Sequence, residues 1–198
     1  RTGATPVRLA AVKAATQLDV ADMNPVLFEL VSDTKTDTGV RVGALNRLAA
    51  AKDSQLPAAL EIAAKDKAEP LRIAATSIRA KSGKGSAVAP LQAILSSGTI
   101  GEKQNAIATL GSIPGAEADG VIASLVSELV AGKLASELHL EVLEAADKRT
   151  DANVKAALDK FKAQRKADDT LWNYRMTLAG GSATSGRKIF LERVEASC

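Results

Sequence analysis

Val40-Arg41-Val42-Gly43-Ala44 is the stretch from which the fold can be read. It runs on into Leu45 and Leu48, so Val40, Ala44, Leu45 and Leu48 follow steps of three and four, the spacing of one helix face. Four related stretches occur along the chain. They are Val7-Arg8-Leu9-Ala10-Ala11, Leu71-Arg72-Ile73-Ala74-Ala75, Glu102-Lys103-Gln104-Asn105-Ala106 and Leu138-His139-Leu140-Glu141-Val142. The offsets are 33, 31, 31 and 36 residues, and a period in the low thirties across most of a chain marks a repeat architecture. In the fourth and fifth copies the apolar first position or the basic second position has changed.

Each copy opens a helix, and a second apolar helix follows it, over roughly 24–31, 54–65, 86–96, 117–131 and 151–167. Pro6, Pro25, Pro57, Pro70 and Pro90 fall near the expected helix starts, where a missing N–H costs nothing. Asn24 and Asp53 stand as candidate caps, and Gly83, Gly85, Gly98, Gly115 and Gly132 fall in the expected turns. Composition agrees. Alanine makes up roughly a fifth of the chain and aromatics only 3%, a balance that favours closely packed helices over a sheet sandwich. One pair cannot bury its apolar face alone, whereas stacked pairs share a continuous core.

These paired helices, with the V-R-x-x-A opening and the Ala-x-x-x-Leu step of Ala44/Leu48 and Ala106/Leu110, resemble HEAT repeats over about residues 5–167. The resemblance implies an all-α fold: a right-handed α-solenoid of about five HEAT-like helix pairs with a C-terminal extra helix. Arg8, Arg41, Arg72 and Lys103 hold equivalent positions. They are expected to form a ladder, each meeting a carboxylate or turn carbonyl of a neighbour.

After Asp168 the pattern changes. Leu171-Trp172-Asn173-Tyr174-Arg175 holds the only Trp and the only Tyr, expected to cap the last helix pair, and a Gly-rich joint follows over 180–186. A helix is expected from about Ala183 or Thr184. Gly186-Arg187-Lys188-Ile189-Phe190, leading on to the single cysteine at Cys198, resembles the entry to a c-type cytochrome domain. The eight-residue step from Phe190 to Cys198 departs from the shorter spacing of small cytochromes c. A HEAT array, a joint and this helix together resemble large multidomain haem-binding proteins of planctomycete and verrucomicrobial type. That resemblance implies three parts: a solenoid over 1–168, a capping segment and linker over 169–184, and the first helix of a truncated cytochrome c domain over 185–198. It makes Cys198 the first haem-attaching cysteine, with the site incomplete in this chain and haem c expected only in the full-length parent. The start at Arg1 and the stop at Cys198 are expected of a piece of a longer protein.

The remaining motifs point away from catalysis. His139 is the only histidine, which gives little support to a zinc site or a Ser-His-Asp triad. The carboxylates Asp168/Asp169 and Glu141/Glu144 read as solvated helix faces rather than a general acid/base pair. No phosphate-binding glycine motif occurs, and no run of about 18 apolar residues marks a membrane span. Segment 148–166 carries Lys148, Arg149, Lys155, Lys160, Lys162, Arg165 and Lys166. The earlier second helices are poor in Lys and Arg, so a nucleic-acid surface is disfavoured against a solvated or docking face. The expected function is therefore a non-catalytic scaffold, not an enzyme, that holds a c-type cytochrome domain in an exported, periplasmic redox protein. Its expected partners are the other domains of that protein or a redox partner. The alternatives are a stand-alone peptide- or protein-binding solenoid and, least favoured, a nucleic-acid binder.

Overall fold

The fold is taken from a computed structural model that describes residues 7, 8, 10–12, 14, 24–82, 87–165 and 168–192. Pro6, Gly83, Gly85, Lys166 and Cys198 lie outside the described residues. Within them the structure is all-helical, with no strand. In chain order the α-helices are α1 (Asn24–Ser32), α2 (Thr38–Ala50), α3 (Leu56–Ala64), α4 (Glu69–Lys81) and α5 (Val88–Ser97). They continue with α6 (Ile100–Leu110), α7 (Ala116–Val130), α8 (His139–Asp147), α9 (Ala152–Lys162) and α10 (Ala183–Glu192). Two 3₁₀ turns of helix, Ser136–Leu138 and Trp172–Thr177, precede α8 and α10. Residues 7, 8, 10–12 and 14 are also helical. No helix among the described residues is long and apolar enough to cross a membrane.

The chain divides into two compact units, Arg1–Ala106 and Ile107–Cys198. In the first, α1 packs on α2 and α3, α2 on α4, and α3 on α4. First helices of successive pairs therefore touch each other, and so do second helices. Val12, Leu27, Val31, Val40, Leu45, Leu48 and Leu71 form one buried cluster. In the second unit α7 packs on both α8 and α9. Ile122, Val126, Val142 and Val154 are fully buried there.

Local chemistry accounts for the helix ends. Asp37 caps α2, its Oδ1 accepting from the N–H of Gly39 at 2.8 Å and of Val40 at 3.3 Å. Asp151 caps α9 in the same way, accepting from Asn153 at 2.8 Å and Val154 at 3.1 Å. Neither cap stands out in the sequence. Asp53, which does, accepts from Gln55 N–H at 2.7 Å inside the turn before α3. Pro57 and Pro70 sit in the first turns of α3 and α4, as their missing N–H allows. The buried positions of α9 are Val154, Ala157, Leu158 and Phe161, a single stripe with a polar opposite face.

Small residues set how closely the helices approach. A Cβ on Gly111 would lie 2.8 Å from Ala145 Cβ and 2.9 Å from its Cα, so α8 runs against bare backbone there. Gly120, inside α7, has nothing within 4 Å of the same construction. Urea unfolding should therefore separate the two glycines. Gly111→Val is expected to cost about 2 kcal/mol through overpacking. Gly120→Ala is expected to add about 0.5–1 kcal/mol through helix propensity and lost unfolded-state freedom.

Candidate functional site

Three arginines at the repeat positions of the first unit bind across elements. Arg41, itself buried, donates from Nε and Nη2 to Val31 O at the end of α1, at 3.0 and 2.9 Å. The same guanidinium forks onto Asp66 in the turn before α4, with Nη1 to Oδ1 at 3.2 Å and Nη2 to Oδ2 at 2.5 Å. Arg72 takes the next step. Its Nε donates to Glu102 Oε1 at 2.6 Å, and its Nη1 reaches the carbonyls of Asp66 and Lys67 at 2.9 and 3.0 Å. Arg8 meets a hydroxyl instead: Nη2 donates to Thr36 Oγ1 at 2.9 Å, and Thr36 donates to Asp33 Oδ2 at 2.8 Å. Lys103, at the fourth position, makes no side-chain hydrogen bond or ion pair among the described residues.

Glu102 has a second task. Thr99 N–H donates to its Oε2 at 2.9 Å, and Glu102 N–H donates to Thr99 Oγ1 at 3.3 Å, a reciprocal capping box at the start of α6. The T-x-x-E spacing of Thr99 and Glu102 was the signal for it. The Thr99 hydroxyl also donates to Glu69 Oε1 at 2.8 Å, which ties α4 to α6 a second time. The charges respond. The Arg72 guanidinium, with help from Thr99, holds Glu102 down to about 2, and the Arg41 guanidinium keeps Asp66 below the usual carboxylate range.

In the second unit the guanidinium comes from a different place. His139 stands at the repeat position, and its Nε2–H donates to Leu134 O at 3.0 Å, fastening the preceding turn to α8. Arg149, just beyond α8, does the bridging: Nε to Asp119 Oδ1 at 2.6 Å and Nη1 to Ile113 O at 2.6 Å. Its side chain is only 8% exposed. Arg149 is thus a buried strut and not part of the basic face on which the sequence places it. Lys148, Lys155, Lys160, Lys162 and Arg165 are exposed, and Lys162 lies 3.8 Å from Asp147.

Of the suggested carboxylates, Glu141 is half-buried and Glu144 exposed. Asp169 holds the turn after α9 together, accepting from Leu171 N–H at 3.2 Å and from Arg175 Nε at 3.0 Å. Trp172 lies with its ring centroid 5.3 Å from that of Phe161, tilted by 36°, over a slot of about 160 Å³ shared with Leu143, Leu158 and Met176. Tyr174 points away and is 66% exposed. Beyond it, α10 buries none of its residues; Phe190 and Leu191 are 66% and 64% exposed. Gly186 lies on α10 with open space around it, and Cys198 lies outside the described residues. No group of three possible metal-ligating side chains occurs among the described residues.

α7 and α9, the second helices of their pairs, leave an open groove of about 420 Å³ lined by Ser124, Ser127, Asn153, Ala156 and Lys160 among others. No single-sequence pattern marks it. No protein-family model matches the chain, and no curated protein or solved structure matches it significantly.

The ladder should show in stability measurements. Arg41→Met strips a buried carboxylate and a carbonyl at once and is expected to cost about 3 kcal/mol. Arg72→Met, half-buried, is expected to cost about 2 kcal/mol at neutral pH. Glu102 titrates lower when folded than its ordinary 4.5, so its contribution is complete above that value and is lost as pH falls toward about 2. Melting curves should show the gap between wild type and Arg72→Met closing through that same window.

Proposed function

We propose that this chain is a non-catalytic scaffold of HEAT-like helix pairs, and that α10 opens a following domain of c-type cytochrome kind. The observation that carries the reading is the contrast between Trp172 and α10. The chain closes the end of α9 with Trp172 on Phe161. It then starts a fresh helix that buries nothing and holds Ile189, Phe190 and Leu191 out to solvent. Such a concentration of exposed apolar side chains fits a helix whose packing partner lies elsewhere.

The bonds between elements support the repeat reading. Arg8–Thr36, Arg41–Asp66, Ser77–Asn105 and Arg72–Glu102 span 28, 25, 28 and 30 residues. In the second unit Arg149–Asp119 spans 30. Each is about one period long, as nearest-neighbour stacking of repeats requires. The scaffold reading rests on this; the haem reading rests on the sequence resemblance and on the unpaired face of α10. Haem of this type is attached outside the cytoplasm, so the proposal implies export and a redox partner.

Two measurements test it. Ending the chain at Gly181 is expected to leave the unfolding free energy unchanged, while Trp172→Ala is expected to lower it by about 2–3 kcal/mol. A drop on removing α10 would mean that the helix belongs to the scaffold. Separately, the longer natural reading frame, expressed with haem-attachment machinery, should carry covalent haem by intact mass. A folded, haem-free product would end the cytochrome reading and leave the scaffold standing.

A further inference from the structure

Trp172 and Met176 are the two side chains of the capping segment that line the slot over Phe161. Leu143 of α8, with Leu158 and Phe161 of α9, completes its apolar wall. Leu158 and Phe161 are buried, whereas Trp172 and Met176 are half-buried. The charged residues of the lining, Asp147 and Lys162, are exposed and stand 3.8 Å apart. The slot is thus apolar within and open to water on one side. Met176 is packed against that wall and still within reach of small solutes.

The hold of the cap on the helices depends on these contacts. Among the described residues the hydrogen bonds of segment 168–178 run within it. Asp169 accepts from Leu171 N–H and from Arg175 Nε, and Thr177 Oγ1 donates to Tyr174 O at 2.7 Å. These bonds shape the segment but do not fasten it to α8 or α9. Leu171, Tyr174 and Leu178 are exposed and fasten nothing either. Fastening falls to Trp172, whose ring lies on that of Phe161, and to Met176 in the same slot. A thioether suits the place, being unbranched, polarisable and favourable beside aromatic rings. It is also a group that a peroxide converts from apolar to polar.

We propose that Met176 is a modification site at which a peroxide opens the cap. The thioether lone pair attacks one oxygen of hydrogen peroxide and the O–O bond breaks. An S–O bond forms, and the second oxygen leaves as water after proton transfer. Sulfur is oxidised by two electrons to the sulfoxide, and the peroxide is reduced to water. A sulfoxide oxygen is costly among Leu143, Leu158 and the rings, so the side chain leaves the slot for water. Trp172 then loses a neighbour, and the segment loosens from α9. The joint that leads on to α10 is freed at its root. Reduction by a methionine sulfoxide reductase restores the apolar thioether and closes the cap. The inference goes beyond the scaffold reading and does not depend on haem, since it concerns the end of α9 alone.

Trp172 is the only Trp in the chain, so its fluorescence reads the slot directly. The other sulfurs are those of Met23 and Cys198, both outside the described residues. The test therefore uses the full chain carrying Met23→Leu and Cys198→Ser, in which Met176 holds the only sulfur. Hydrogen peroxide is expected to add one oxygen atom by intact mass. Trp172 emission should move to longer wavelength, and its quenching by acrylamide should rise. The melting midpoint should fall by about 3 °C or more. Treatment with methionine sulfoxide reductases should reverse all of these changes. Met176→Leu, a volume-conserving swap, should take up no oxygen and keep its emission through peroxide. Met176→Gln, polar without any oxidant, should show the shifted emission from the start. Four outcomes overturn the proposal. The first is no oxygen gained by the folded chain under peroxide that fully oxidises the urea-unfolded chain, which marks a shielded sulfur. The second is an oxygen gained with Trp172 emission unchanged, which marks a sulfur with no hold on the cap. The third is the same peroxide-driven emission change in Met176→Leu, which places its cause elsewhere. The fourth is native emission in Met176→Gln.

Discussion

A guanidinium that binds a helix end on one side and a carboxylate on the other is the interaction on which this architecture turns. Arg41 shows why. Its Nε and Nη2 satisfy Val31 O, one of the carbonyls that α1 leaves without an intrahelical partner, while its outer edge forks onto Asp66. A lysine would offer a point charge where two directions must be served at once, and it is more strongly hydrated. Burial of the pair is costly, so the gain depends on both oxygens of Asp66 and the carbonyl being bonded together. Asp66 Oδ1 also accepts from Ala68 N–H at 2.8 Å, so the same carboxylate shapes the turn into α4. The strut thereby couples α1, α2 and the turn into α4.

The sequence made the helix openings legible, because a fixed face must recur wherever one pair stacks on the next. Val40, Leu71 and Glu102 are each the third residue of a helix, in α2, α4 and α6. The second helices also lie within about two residues of their expected starts. The partners of the arginines were less legible. Asp66 comes from a turn, Glu102 from a helix start and Thr36 from another turn, and turns vary in length where helix faces do not. The second unit shows the limit most plainly. His139 occupies the expected position, yet the guanidinium arrives from Arg149 after α8 and reaches back to Asp119. A guanidinium bridging a carboxylate and a carbonyl recurs in the second unit, but from a different position in the sequence.

The aromatic tail divides in the same way. Being the only Trp and Tyr in a ring-poor chain was enough to expect a cap, and Trp172 does lie on Phe161. The 3₁₀ geometry of Trp172–Thr177 then turns neighbouring side chains to different sides, which leaves Tyr174 in solvent. Periodicity alone cannot assign sides in a segment with no neighbouring repeat to compare.

Alanine-rich composition has two opposite consequences in this chain, and position decides between them. Where a small residue meets another helix's backbone, as Gly111 meets Ala145, it permits contact that any larger side chain would block. Where small residues face each other across helices already held apart by core residues such as Ile122, Val126 and Val154, they leave a trough. Bulkier side chains facing each other across α7 and α9 would fill the trough and bury more apolar surface. Retaining Ala156 and Ala157 beside an unpaired Lys160 forgoes that packing, and the space so created has a size, a shape and a charge of its own. The residues that make helices stack closely thus also leave α7 and α9 open to solvent along the trough.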